Sequence, residues 1–255
     1  MPPTVTVWGT AFARLDMDGA TELADRIIDH RQPEYFITAN LNYLMLTHQV
    51  PRLEEINSRA AAVLADGFPI VVRSRLSSRP LPGRVTGADL IVRLAELAHR
   101  RRYSIYFLGG AAGVAAAAAK KLNAQYPHFR IAGCASPALH GMSAAEHQRL
   151  VDEIRQSRPD ILLVAFGQPK GECWIYDHLR DLNVPLSMQI GASFDFLVGT
   201  ARRAPQIWQD LGAEWLYRML SEPRRLGPRY ARNMLHLGQL VAGEMPRAVS
   251  SLLTS

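Results

Sequence analysis

Cysteine is nearly missing from this chain of 255 residues: Cys134 and Cys173 stand far apart and lack the spacing of a metal site. That fits a reducing compartment and argues against a disulfide scaffold. No window approaches the run of about 18 apolar residues that a membrane-spanning helix needs, so none is expected. No basic stretch followed by an apolar core opens the sequence, so no secretory leader is expected either. Low-complexity tracts are absent, and an apolar fraction of 48% is ordinary for a globular protein. A G-x-G-x-x-G fingerprint is also lacking, which weakens any reading as a dinucleotide enzyme.

A chain of this length can bury a sizeable core, as one large domain or one domain with an appendage. Its formal charge of +6 is unevenly spread. From Thr200 onward there are eight arginines (202, 203, 218, 224, 225, 229, 232 and 247) against four acids (210, 214, 222 and 244), a local excess of +4. A basic end of this kind suggests an anionic partner, whether lipid head groups, nucleic acid or a phosphorylated substrate. The texture changes there as well. Trp208, Leu211, Trp215, Leu216 and Leu220 read as one helix, and Leu226, Tyr230, Asn233, Leu237 and Leu240 as a second, amphipathic one with Arg225, Arg229 and Arg232 on its other face. Such a helix serves equally as a membrane-surface element or as an ordinary docked helix. Residues 1–204 are therefore read as a catalytic core and 205–255 as a basic helical appendage.

Within the core, short apolar runs alternate with helical patterns, beginning with a strand over Val5–Trp8. The run Asp160–Phe166 is apolar almost throughout, as a central strand of a parallel sheet should be. Ligands of open parallel sheets sit just beyond the carboxyl ends of the strands, so the polar residues at those ends are the candidates. Asp66 closes the run Ala62–Ala65 and is followed by Gly67, where it is placed as a general base or merely makes a turn. Thr38 and Asn40 end the strand beginning at Tyr35, to cap the next helix or to meet a ligand. Arg73–Arg84 reads as a long basic loop broken by prolines, of the kind used as a lid or binding segment. The segment Arg84–Asp89 then opens a helix, with Thr86 or Gly87 as its cap.

Gly109, Gly110 and Gly113 follow a strand and open an alanine-rich helix, where glycines let a backbone approach a phosphate. Gly167, Gln168, Pro169, Lys170, Gly171 and Glu172 follow the strongest strand and form either an anion cradle or a proline-bearing turn with a solvated lysine. Gly191 and Asp195 follow the last clear strand. The D-x-D formed by Asp16 and Asp18 is the pattern that holds a metal in many glycosyltransferases. Here Asp18 precedes a helical pattern (Ala20, Leu23, Ile27, Ile28), and a helix N-cap explains it better.

Taken in order, Thr38-Ala39-Asn40, Ala65-Asp66-Gly67, Arg84 to Asp89, Phe107 to Gly110, Gly167 to Glu172, Gly191 to Asp195, Glu214-Trp215-Leu216-Tyr217-Arg218 and Glu222-Pro223-Arg224-Arg225 closely resemble the WecG/TagA/CpsF family of bacterial glycosyltransferases, from about Val7 to about Leu237. The resemblance implies a fold of the GT-E type: a Rossmann-like α/β core, its mostly parallel sheet flanked by helices, with a C-terminal appendage. It implies an inverting, metal-independent transfer of a sugar from a UDP-sugar to a polyprenyl-diphosphate-linked saccharide during synthesis of an exopolysaccharide, capsule or cell-wall polymer. No cofactor or metal is then expected. Asp66 would be the base, with Thr38, Asn40, Arg84 and Gln168 in the same pocket. Gly109, Gly110, Gly167, Lys170, Glu172, Gly191 and Asp195 are the candidates for the donor. Arg202, Arg203, Arg218, Arg224, Arg225, Arg229 and Arg232 are the candidates for the acceptor and an anionic membrane. The expected location is peripheral, on the inner face of the cell membrane, with no nucleic acid as partner and a homo-oligomer left open. Two departures bear on the donor: Gly171 stands where the family usually has glutamine, and Ala39 where proline is common. A nucleotide-dependent oxidoreductase built on Gly109-Gly110 and a nucleic-acid-binding module using the arginine-rich end are the rival readings.

Overall fold

A computed structural model describes residues 1–138, 141–201, 203–205, 207–208 and 213–252, excepting the side chains of residues 215, 218, 225, 229 and 243–252. Arg202 and the side chains of Arg218, Arg225 and Arg229 thus lie outside the described residues. Six strands form one parallel sheet: β3 (Glu34–Ala39), β4 (Ala62–Ala65), β5 (Ser104–Gly109), β6 (Arg130–Ala135), β7 (Ile161–Ala165) and β8 (Leu186–Gln189). Their spatial order is β4-β3-β8-β7-β5-β6, with helices in the crossovers. β5 is buried along its whole length, and β7 is buried up to Ala165, as strands covered on both faces must be.

Apolar side chains fill both faces of the sheet. On one face, α1 (Met17–His30), α5 (Gly87–Arg101) and α6 (Val114–Gln125) pack through residues such as Ile28, Leu94 and Ala118. On the other, α2 (Leu41–Gln49), α3 (Arg52–Arg59), α7 (Ala144–Ser157) and α8 (Lys170–Leu182) pack through Leu44, Ile56, Val151 and Ile175. The architecture is therefore α/β with a parallel sheet between two helical layers, as expected.

Three local readings need correction. The first strand is half of a separate antiparallel hairpin, β1 (Thr4–Val7) with β2 (Thr10–Ala13). Its two-residue turn has φ of 46° at Trp8 and 81° at Gly9, the paired positive values of a primed hairpin turn. A tryptophan in that position conceals the turn from a composition reading. The cap of α1 is Asp16, whose carboxylate accepts from Gly19 N at 2.8 Å, and not Asp18, which pairs with Arg93. The Arg73–Arg84 loop begins inside a short helix, α4 (Phe68–Ser74), which starts with Pro69 in its first turn. Proline suits that position because the N–H it lacks would have no intrahelical partner.

Beyond the sheet lie α9 (Ser193–Val198), α10 (Glu214–Ser221) and α11 (Pro223–Leu252). The inner side of α11 is docked on the core: Leu226, Tyr230 and Asn233 are buried, and Met234, Leu237 and Leu240 pack on the second apolar cluster. His48 of α2 fixes the contact. Its Nε2 is 2.9 Å from Trp8 O and its Nδ1 is 3.0 Å from His236 Nε2. Because a carbonyl can only accept, Nε2 carries the proton and Nδ1 accepts from His236. Among the described residues, no helix is long and apolar enough to cross a membrane.

Candidate active site

A cavity of about 440 Å³ opens at the carboxyl ends of β4, β3, β8 and β7. That volume lies in the range of small-molecule sites. Asp66, Thr38, Asn40, Arg84 and Gln168 all line it, as do Gly167, Gly191, Asp195 and Arg203. The far wall is α11, through Leu226, Tyr230, Asn233 and Met234.

The backbone places Asp66 firmly. Its N–H bonds to Ala39 O at 3.0 Å, and Val85 N bonds to Ala65 O at 2.9 Å, so the residue is fixed between two strand ends and the start of α5. Burial pushes its carboxyl up to about 7. Arg84 and the Gly87 N–H pull it back, while Glu214 and Asp89 push it further up. A carboxyl that titrates near neutrality holds a proton acceptor at working pH while still able to take a proton, which is what a general base needs.

Around it, polar side chains lock one another. Gln168 donates from Nε2 to Thr38 O at 3.3 Å and accepts on Oε1 from Asn42 at 3.3 Å. Thr38 Oγ1 donates to Gln189 O at 3.4 Å. Asn40 caps α2, its Oδ1 accepting from Tyr43 N at 3.1 Å, and still lines the cavity. Capping and facing a ligand were the two readings of Asn40, and the geometry accommodates both.

Arg203 and Arg84 bring positive charge to the wall. Arg203 makes a bidentate pair with Asp89, at 2.6 and 2.8 Å, and Thr86 Oγ1 donates to the same carboxylate at 2.7 Å. Burial raises Asp89, but the bonds from Arg203 and Thr86 outweigh it and hold the carboxyl below its usual range. The Nε of Arg203 is buried without a hydrogen-bond partner among the described residues. Arg84 lies 3.5 Å from Glu214 Oε2. Both pairs tie the core to residues beyond position 200.

Four of the expected donor residues stand away from the cavity lining: Gly109, Gly110, Lys170 and Glu172. Gly109 has a packing reason to be glycine, since a Cβ there would meet Ala165 O at 2.8 Å, with φ at +100° besides. Lys170 is exposed at the start of α8. Glu172 is 2% exposed, and burial pushes its carboxyl up to about 8 against the opposing pull of its own N–H and of Gln189. The glycine at 171 has a partner too: a Cβ there would come within 2.3 Å of Gln189 Cγ. Gln189 in turn accepts from Gly191 N at 2.6 Å, so the amide beneath this part of the cavity comes from β8.

Glu214 and Asp89 appear in the sequence only as letters within longer motifs, and nothing there singles them out. Their roles arise from contacts 130 and 114 residues away along the chain. Tyr230 and Asn233 sit on the apolar side of α11, which periodicity assigns to packing without naming the surface it covers. Among the described residues, no three or more His, Cys, Asp or Glu side chains gather as metal ligands would.

Residues 5–249 match the Glycosyl transferase WecG/TagA/CpsF family. An N-acetylglucosaminyldiphosphoundecaprenol N-acetyl-beta-D-mannosaminyltransferase of Bacillus spizizenii is 29% identical over 205 residues, covering 80% of this chain and 78% of the relative. A Staphylococcus aureus (strain MW2) enzyme of the same description is 33% identical over 196 residues, or 76% of this chain and 74% of the relative.

Proposed function

This chain belongs to the WecG/TagA/CpsF glycosyltransferase family, and from that premise we propose that it transfers a sugar from a UDP-sugar to a polyprenyl-diphosphate-linked saccharide, with inversion and without a metal. The names of the relatives point to an N-acetylmannosaminyl donor and an N-acetylglucosaminyl acceptor. The product is then an intermediate of a cell-wall or other surface polysaccharide. One observation carries the reading: the Asp66 carboxyl, pushed up to about 7, faces a cavity that Arg84 and Arg203 line together with Asp195 and Glu214.

In the proposed reaction Asp66 takes the proton of the acceptor hydroxyl as that oxygen bonds to the anomeric carbon. The bond from that carbon to the UDP oxygen breaks on the opposite face, which inverts the centre. A positioned base of this kind contributes roughly 10²–10⁴-fold. The departing diphosphate needs cationic partners and N–H donors. In this reading Arg84, Arg203 and the backbone at Gly167, all in the cavity lining, supply them. Independence from metal is part of this proposal: Arg84 and Arg203 bring to the diphosphate the positive charge that a metal would otherwise supply. In this reading the acceptor's lipid tail brings the enzyme to a membrane surface, and the proposed location is peripheral, on the inner face of the cell membrane.

The test is Asp66→Asn, assayed with a panel of UDP-sugars and a synthetic polyprenyl-diphosphate sugar by mass spectrometry. UDP binding is expected to persist while turnover falls about 10²-fold or more. In the parent protein, turnover is expected to rise with pH through about 7 as the carboxylate forms. Near-normal turnover by the variant removes Asp66 from the mechanism.

A further inference from the structure

The helix that follows Asp66 turns only part of itself toward the protein. In α4, Ile70, Val71 and Ser74 are buried. Phe68, Val72 and Leu76 are instead 38%, 40% and 80% exposed. Residues spaced in this way share one side of a helix. Leu76 lies just past the helix end, but the turn continues: Leu76 N bonds to Arg73 O at 3.2 Å and Ser77 N to Ser74 O at 2.9 Å. Arg75 and Arg79 are exposed beside this stripe. Phe68, with Pro69, also lines the cavity that Asp66 faces. The stripe therefore starts at the mouth of the site and runs outward.

We infer that α4 and the turn after it seat the core on an anionic lipid surface, with Phe68 where the acceptor's hydrocarbon tail leaves the cavity for the bilayer. The inference rests on the lipid-acceptor reading above and places a membrane contact outside the C-terminal arginines. A polyprenyl chain stays in the bilayer while its diphosphate and sugar must reach Asp66. The mouth of the cavity then lies at head-group depth, and whatever rims it faces the acyl boundary. Apolar side chains flanked by guanidinium groups suit that boundary: the former enter it, and the latter meet lipid phosphate while their stems stay apolar.

Sedimentation of the full chain with phosphatidylglycerol–phosphatidylcholine vesicles tests this. The double variant Val72→Asp/Leu76→Asp alters only exposed positions, and an unchanged melting temperature verifies its fold. Its vesicle-bound fraction is expected to fall about ten-fold or more, since two apolar anchors become charges. Turnover of acceptor embedded in vesicles is expected to fall in step, and turnover of a short-chain, water-soluble analogue to stay as in the parent. Arg75→Gln/Arg79→Gln is expected to lose the preference for phosphatidylglycerol over pure phosphatidylcholine. Parent-like vesicle binding by the aspartate variant overturns the inference. So does a variant that loses a dimer yet keeps its vesicle binding, because a second copy is then the occupant. A parent protein that turns over neither acceptor sinks the proposed function, and vesicle binding still judges α4 by itself.

Discussion

The carboxyl edge of the sheet has two unlike halves. At β5 the chain runs into Gly109 and Gly110, a glycine turn of the kind that lets a backbone approach a phosphate, yet neither glycine lines the cavity. At β4 it runs into an aspartate, with a threonine and an asparagine at the end of β3 and a glutamine beyond β7, and there the cavity opens. The difference lies in what presses on each strand end. Gly109 is held against the backbone of Ala165, so a missing side chain serves close strand packing. Over β4 and β3 the chain leaves a gap that Arg203, Glu214 and α11 roof without filling. A glycine-rich turn thus records a close approach without saying whether the approaching group is a ligand or another strand.

Three substitutions test that contrast. The largest expected effect is at Arg203→Ala, which removes a guanidinium from the cavity wall and leaves Asp89 without its bidentate partner. A fall in kcat/KM of about 10²-fold is expected, by analogy with removal of a transition-state donor. A parent-like kcat/KM would move the functional half of the edge elsewhere. Gly109→Ala should strike stability and spare chemistry. The strained φ and the contact with Ala165 are expected to cost about 1–3 kcal/mol in urea titration, with KM for the donor unchanged. A raised donor KM with unaltered stability would make β5 a phosphate cradle after all and erase the contrast.

The smallest effect is expected at Glu172→Gln, beneath the site. Burial raises the folded-state value of Glu172 from 4.5 to about 8. Folding therefore favours the protonated form. The stability this brings is fully present below about 4.5 and is lost as pH rises from there through 8, because the unfolded chain ionises first. Asp66 adds a slope of the same sign between 3.8 and about 7. Glutamine cannot ionise, so the variant should melt higher than the parent at pH 8 and match it near pH 4.5. Equal melting temperatures at both values would place Glu172 in contact with water.

The alternation of strands and helices, and the polar residues at strand ends, are local patterns and could be read directly. So could the order of motifs that resembles the family. What escaped depends on distance along the chain. Arg203 reads as one more cation of a basic tail until Asp89 is seen to hold it in the cavity wall. Gly171 reads as an unexplained departure until Gln189 is found in the space its side chain would need. Lys170 and Glu172 share one motif with Gln168, yet α8 leaves the first exposed and turns the second into the interior. Trp8 hid a hairpin because tryptophan seldom occupies a turn position with positive φ.

The roof over Asp66 has a temporal meaning. Ribosomes extend a chain from its N-terminus, so the aspartate and its sheet neighbours exist well before Glu214 and Tyr230. The early part can begin to fold while its carboxylate still faces open solvent. The cavity that Asp66 faces is complete only once Leu226, Tyr230, Asn233 and Met234 of α11 supply its far wall.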